Sequence, residues 1–95
     1  LVVSRGLLEK VGGIRSDYDG AQDYDFVLRC VEQAKRIEHV AKILYHWRVH
    51  ELSTAGGGGT KEYAADAGKR ALEAHLDRLG IAASVEKTQY FGSIV

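Results

Sequence analysis

The residues best suited to chemistry lie in two short stretches, and the first is DYDGAQDYD at positions 17–25. Its four carboxylates could bind a divalent cation, supply a general base or occupy an acidic turn that opens a helix. An EF-hand is excluded because that loop needs a glycine at its sixth position, whereas Gly20 is fourth counting from Asp17. The plainest interpretation is a polar turn followed by a helix whose first turn carries two acids, where the macrodipole favours anions.

Asp23 is the carboxylate of this group that the spacing singles out. It lies three and seven residues before Phe26 and Cys30, so the periodicity predicts that it projects from the same side as the apolar stripe. A carboxylate at the edge of a cleft, held ionised by a helix N-terminus, is a competent general base for a substrate hydroxyl. Asp25 points elsewhere around the helix and is expected to be structural.

The second stretch is YHWRVH at positions 45–50. Arg48 suits a phosphate or diphosphate, because its planar guanidinium forms paired charge-assisted hydrogen bonds. Neutral His46 or His50 could bind a divalent metal. The alternative is a solvated strand edge without a ligand, which is the usual setting for one arginine and two histidines at a strand end.

Composition limits the classes of function. Thirteen basic residues balance thirteen acidic ones in 95 residues, which argues against a nucleic-acid-binding module. The single cysteine, Cys30, excludes an internal disulfide and is expected in the core. No apolar run approaches the roughly 20 residues of a membrane span, so a cytoplasmic protein without a transmembrane segment is expected.

Three helices should position these residues. Ser4 can cap the first, and Gly12–Gly13 should end it. Apolar periodicity predicts the second at 22–34. Thr60 should cap a long third helix that continues to Leu79 and ends at Gly80. The apolar stripe predicted for this third helix is Ala65, Gly68, Leu72, Leu76 and Leu79.

Strand content is predicted mainly at 36–49, where apolar and polar residues alternate. The sequence AGGGGT at 55–60 should be a flexible loop, because glycines carry a large backbone entropy. One or two strands cannot close a sheet. We therefore expect residues 1–95 to be one partial domain whose sheet lies upstream, and the absence of methionine also indicates an excised piece.

The ordered series RGLLEKVGGIRSDYDGAQDYDFVLRCVEQAKRIEHVAKILYHWRVHELSTA resembles the C-terminal half of the catalytic domain of family 2 glycosyltransferases. These enzymes have the GT-A fold, a Rossmann-like α/β architecture that uses nucleotide sugars, and the nearest members build bacterial cell-surface polysaccharides, including rhamnosyltransferase-like enzymes. The resemblance covers about residues 3 to 80. It implies a helix-rich α/β fragment with about three helices and one or two strands, from the acceptor side of the domain.

The resemblance also implies roles for particular residues. Asp23 takes the position of the family's base, and Gln22 replaces the usual Glu beside it and would contact the acceptor. Trp47 and Arg48 resemble, in reversed order, the family's Arg-Trp lid over the nucleotide diphosphate. His50 resembles a histidine that many members use as a further metal ligand. The substrate loop behind the lid would include Ser53 and Thr54.

The implied reaction is inverting transfer of a sugar from a nucleotide-sugar donor to a hydroxyl of a glycan or lipid-linked glycan acceptor. A divalent cation, Mn or Mg, would be bound mainly by an Asp-X-Asp motif upstream of residue 1. The complete protein could also lie at the inner face of the membrane. The isolated piece is predicted to be inactive and prone to form homo-oligomers through exposed edges. The alternative is a small non-catalytic α+β interaction domain.

Overall fold

Helices form most of the regular structure in the computed structural model, which describes residues 1–49, 61–89 and 93–95. Within these ranges the order is α1 (Arg5–Val11), a 3₁₀ turn (Ser16–Tyr18), α2 (Gln22–Gln33), α3 (Lys61–Leu79), β1 (Glu86–Lys87) and β2 (Ser93–Ile94). The prediction of a helix-rich chain with three helices is confirmed. The nucleotide-binding sheet of a GT-A domain and the division into a partial domain remain predictions.

The first helix begins and ends where its capping residues predict. The Ser4 hydroxyl accepts a hydrogen bond from the Leu7 backbone N–H at 3.1 Å. At the other end Gly12 adopts a left-handed conformation, with φ of 87°, and donates its N–H to the Leu8 carbonyl. Only glycine takes this conformation without steric cost, so the Gly12–Gly13 pair turns the chain away from α1.

The third helix ends in a Schellman motif, as predicted. The N–H of Ile81 donates to the Leu76 carbonyl at 3.0 Å, and the N–H of Gly80 donates to the Asp77 carbonyl at 3.1 Å. Gly80 has a φ of 69°, which is the left-handed conformation that this motif requires. The end of α3 at Leu79 is therefore confirmed, whereas Thr60 lies outside the described residues.

The core lies mainly between α2 and α3 and uses small side chains on α3. The buried apolar residues are Ala21, Phe26, Cys30, Ala64, Ala67, Ala71, Leu76 and Val85. The core position predicted for Cys30 is confirmed. The predicted α3 stripe is correct at Leu76, which is buried, but elsewhere the buried positions are Ala64, Ala67 and Ala71, and Leu79 is half exposed. Alanine lets the two helix backbones approach closely, a fit that hydropathy alone does not reveal.

The strand predicted at 36–49 is wrong for the described part of the chain. Residues 36–49 contain no strand, and their large apolar side chains, such as Ile43 at 87% and Trp47 at 65% exposure, face solvent. A strand needs a hydrogen-bonded neighbour, and no described segment supplies one. The alternating pattern indicates a propensity for strand, but the described residues provide no partner strand for 36–49.

The only sheet among the described residues is a short antiparallel pair. β1 pairs with β2 in a register that places Glu86 opposite Ile94 and Lys87 opposite Ser93. The side chain of Lys87 forms an ion pair with Asp66, which links this pair to α3. No helix in the described ranges is long and apolar enough to span a membrane.

Candidate functional site

Asp23 is the second residue of α2 and is exposed. Its Oδ1 accepts a hydrogen bond from the Tyr24 backbone N–H at 2.8 Å. Asp23 is therefore not buried with Phe26 and Cys30, and its place at the rim of the core or the edge of a cleft stays a prediction. Its exposure nevertheless leaves the carboxylate accessible to a substrate, so the role of general base stays a prediction.

Gln22 holds the turn that precedes Asp23. Its Oε1 accepts a hydrogen bond from the Gly20 backbone N–H at 2.9 Å, and the side chain is half-buried. No side chain caps the first turn of α2, because the N-cap residue is Ala21. Gln22 thus organises the turn immediately before the helix, and acceptor binding by Gln22 stays a prediction.

The buried carboxylate next to this site belongs to Asp25, which is 0% exposed. Arg15 donates from Nη2 to Oδ1 at 2.7 Å and from Nε to Oδ2 at 3.3 Å. Arg29 donates from Nε to Oδ2 at 2.9 Å. Burial alone would raise the pKa of Asp25, but the hydrogen bonds from both arginines outweigh it and hold the pKa below its ordinary value. Asp25 is therefore an ionised structural centre, as the sequence predicts.

Arg29 connects this centre to the end of α1. Its Nη1 donates to the Val11 carbonyl at 2.7 Å and its Nη2 to the Gly13 carbonyl at 2.6 Å. These two carbonyls lie at a helix end, where backbone oxygens lack intrahelical partners. Together with Asp25, Arg29 fixes the relative position of α1 and α2 at the end that carries Asp23.

The 3₁₀ turn is held against α3 as well. The Tyr18 ring lies 4.8 Å from the Arg15 guanidinium carbon and 5.5 Å from that of Arg70, which are cation–π distances. Arg70 also donates to the Asp17 carbonyl at 2.8 Å. Gly20, with φ of 97°, lies so close to Tyr63 that an added Cβ would stand 2.6 Å from its ring. The segment that leads to Asp23 therefore contacts both α2 and α3.

The predicted lid residues that the structure describes are exposed. Trp47 and Arg48 are exposed in the irregular segment 36–49, and His46 is exposed beside them. His50, Ser53 and Thr54 lie outside the described residues, as does the glycine-rich loop at 55–60. The structure therefore brings Gln22 and Asp23 together and does not describe a complete lid.

The described residues do not form a metal centre. No group of three His, Cys, Asp or Glu side chains in ranges 1–49, 61–89 and 93–95 is arranged to bind a metal ion. Asp17, Asp19 and Asp23 do not converge in this way, although they lie close in sequence. The predicted metal ligands, His50 and an Asp-X-Asp motif upstream of residue 1, are not among the described residues.

An apolar groove of about 790 Å³ opens on the other side of α2. Val27, Cys30 and Val31 of α2 and its C-cap residue Ala34 line the groove, and Leu7 and Leu44 contribute from neighbouring segments. These α2 residues belong to the apolar stripe that the sequence predicts to be core. All four residues of the predicted stripe, Val27, Cys30, Val31 and Ala34, therefore line this groove, and Cys30 among them is also buried.

The resemblance indicated Arg29 as a supporting position beside Asp25, whereas the sequence pattern did not reveal the role of Arg15 or one further contact between α2 and α3. Glu32 accepts hydrogen bonds from His75 Nδ1 at 2.6 Å and Arg78 Nε at 2.8 Å, which joins α2 to α3 at the end far from Asp23. The i, i+4 spacing of Asp25 and Arg29 was the available signal, since such pairs face each other on a helix. The partners from other elements, Arg15 and Arg78, have no local signature.

Comparison with known proteins gives two relatives of particular interest. The chain is 48% identical over 79 residues to the uncharacterized protein y4gI of Sinorhizobium fredii, a match that covers 81% of this chain and 9% of the relative. It is 44% identical over 85 residues to the O-antigen biosynthesis protein RfbC of Myxococcus xanthus, covering 90% of this chain and 7% of the relative. The chain thus spans less than a tenth of the length of these curated relatives.

Neither of the other comparisons adds a relative. No protein-family model matches the chain, and no solved structure matches it. The similarity to RfbC and y4gI is therefore the sequence relationship on which a functional proposal can draw.

Proposed function

We propose that this chain is the acceptor-side part of the catalytic domain of a family 2 glycosyltransferase that acts in cell-surface polysaccharide biosynthesis. The observation that carries the proposal is the exposed Asp23 carboxylate at the start of α2, directly beside the buried Asp25 ion pairs. The similarity to RfbC, whose name refers to O-antigen biosynthesis, supports the polysaccharide context. The complete protein is then an enzyme, and the isolated piece is inactive.

In this proposal Asp23 removes the proton from an acceptor hydroxyl. Its Oδ1 is occupied by the Tyr24 N–H, and its Oδ2 has no hydrogen-bond partner among the described residues, so Oδ2 is the atom that takes the proton. The hydroxyl oxygen then attacks the anomeric carbon of the donor as the bond to the nucleoside diphosphate breaks. Attack opposite the leaving group inverts the anomeric configuration. The acceptor is a glycan or a lipid-linked glycan.

The groups that stabilise the leaving diphosphate belong to the second stretch. Arg48 is the proposed diphosphate contact because its guanidinium is exposed and carries a fixed charge. Trp47, Ser53 and Thr54 are proposed to line the donor site. A Mn or Mg ion, when bound, would supply further positive charge, and its proposed ligands are His50 and an Asp-X-Asp motif outside this chain.

The test compares Asp23→Asn with Asp19→Asn in the complete protein, by measuring sugar transfer from nucleotide-sugar donors. Asp19 is a matched control because it is an exposed acid in the preceding turn. Asp23→Asn should lower kcat by about 10²- to 10⁴-fold, the usual effect of losing a general base. Asp19→Asn should transfer at about the wild-type rate.

Transfer by Asp23→Asn within about tenfold of wild type would overturn the assignment of the base. A complete protein that transfers no sugar from any nucleotide sugar would instead favour the alternative, a non-catalytic interaction domain. The exposed apolar residues of segment 36–49 are the observation that supports that alternative.

A further inference from the structure

Among the described residues, Arg15 is the side chain that joins the acidic turn to the carboxylate of the buried Asp25. Arg29 approaches Asp25 from the same helix, so it cannot by itself fix the turn at 16–21. Arg15 comes from the segment before the 3₁₀ turn and reaches both carboxylate oxygens of Asp25. Its side chain is 39% exposed, compared with 7% for Arg29, so Arg15 is the more accessible of the two arginines.

The same guanidinium also contacts the turn itself. It lies over the Tyr18 ring at 4.8 Å, and Tyr18 is the last residue of the 3₁₀ turn. The Tyr18 carbonyl accepts the N–H of Ala21 at 2.8 Å, and Ala21 is the N-cap of α2. A continuous set of contacts therefore runs from Asp25 through Arg15 and Tyr18 to the residue that begins the helix bearing Gln22 and Asp23.

We infer that Arg15 is a positioning residue, which sets the orientation of the 16–21 turn and of the first turn of α2 so that Asp23 meets the acceptor hydroxyl. This inference rests on the proposed function. A lysine at position 15 would keep the charge but could not contact both Asp25 oxygens and the Tyr18 face with one planar group. Displacement of a reacting group by about 1 Å can cost up to about 10²-fold in rate.

Arg15→Lys in the complete protein tests the inference, with Arg78→Lys as the matched control. Arg78 also forms an ion pair with a buried carboxylate, that of Glu32, but at the far end of α2. Arg15→Lys should lower kcat about tenfold or more and leave the KM for the nucleotide sugar within about twofold. Arg78→Lys should leave kcat within about twofold of wild type.

Hydrogen exchange supplies a readout that does not depend on turnover. Arg15→Lys should speed amide exchange at 16–24 without changing it at 70–79, and Arg78→Lys should do the reverse. Tyr18→Leu, which removes the ring beneath Arg15 without touching Asp25, should act in the same direction as Arg15→Lys. It therefore keeps the inference testable if Arg15→Lys folds poorly.

The outcomes separate the inference from the proposed function. Wild-type kcat and unchanged exchange at 16–24 in Arg15→Lys would overturn the inference even if Asp23→Asn abolishes transfer. If Asp23→Asn retains transfer, the base assignment fails and the catalytic part of the inference fails with it. Faster exchange at 16–24 would in that case assign Arg15 to anchoring the turn alone.

Discussion

At the scale of single residues, the two acids in the first turn of α2 have opposite environments. Asp25 is fully buried between Arg15 and Arg29, whereas Asp23 is exposed. Periodicity of apolar residues predicted Asp23 on the side of the apolar stripe, at the rim of the core or in a cleft, and did not predict the burial of Asp25, because that reasoning counts only apolar positions as core. Here an ion pair occupies the core face, so the buried face of α2 is rotated toward Asp25 and Arg29. Sequence reasoning did predict that Asp25 is structural and that both acids lie in the first turn.

Gly20 offers a test of how tightly the acidic turn packs on α3. An added Cβ would lie 2.6 Å from the Tyr63 ring and 3.1 Å from the Ala64 Cα, in addition to the strain of a positive φ. Gly20→Ala should therefore lower the free energy of unfolding by about 2–4 kcal/mol, since overpacking adds about 1–3 kcal/mol to the backbone strain. Urea unfolding followed by circular dichroism measures this change.

Gly12→Ala is the matched control for Gly20→Ala. Gly12 also has a positive φ, 87°, but an added Cβ there would meet no atom within 4 Å. Gly12→Ala should lower the free energy of unfolding only by the backbone strain, about 1 kcal/mol. Equal losses in the two variants would contradict the close packing of Gly20 against α3.

At the scale of elements, the capping residues predicted the helix ends. The strand at 36–49 and the buried face of α3 depend instead on contacts between elements. Ser4, Gly12 and Gly80 act through neighbours within a few residues, so their effects can be read from the sequence. The strand at 36–49 depends on a partner strand, and the α3 face depends on how closely α2 approaches. Both are properties of tertiary contacts, which the local pattern does not contain.

The contact between α2 and α3 at Glu32 should depend on pH. Burial alone would raise the pKa of Glu32, but the hydrogen bonds from Arg78 and His75 outweigh it and hold the pKa below its ordinary value of 4.5. The stabilisation is then fully present above about pH 4.5 and is lost as pH falls through the lowered pKa. Glu32→Gln should lower the free energy of unfolding by about 1–3 kcal/mol at pH 7 and by much less at pH 3. Urea unfolding at the two pH values measures this difference.

Glu73→Gln provides the control for Glu32→Gln. Glu73 is paired only with Lys69, at 3.6 Å on an exposed face of α3. Its substitution should change the free energy of unfolding by less than about 0.5 kcal/mol at either pH. If wild type and Glu32→Gln differ in free energy of unfolding as much at pH 3 as at pH 7, the ionised Glu32 contact is contradicted.

At the scale of the whole molecule, the described structure exposes more apolar surface than a small domain normally does. Ile37, Ile43, Leu44 and Tyr45 are each at least 68% exposed, and an open apolar groove lies beside α2. The curated relatives are more than ten times as long as the matched segment. A surface of this kind is typical of a segment that packs against other parts of a protein.

We expect the 95-residue chain, prepared alone, to self-associate through this surface. Sedimentation velocity at increasing concentration should show species larger than a monomer. The double variant Ile43→Lys/Leu44→Lys should shift the chain toward monomer, because it places charges in the exposed segment. Ile81→Lys, at a half-exposed apolar residue after α3, serves as the control. A wild-type chain that is monomeric at all concentrations would refute the expectation.

The central claim is that the buried Asp25 stabilises the site through its ion pairs and that Asp23 is the general base. The most direct measurement is the unfolding free energy and the sugar-transfer rate of Asp23→Asn and Asp25→Asn, side by side. Asp23→Asn should change stability by less than about 0.5 kcal/mol and lower kcat by about 10²- to 10⁴-fold. Asp25→Asn should cost about 3–5 kcal/mol of stability, because it leaves Arg29 buried without its carboxylate. An Asp25→Asn protein of wild-type stability, or an Asp23→Asn protein of wild-type activity, would contradict the account.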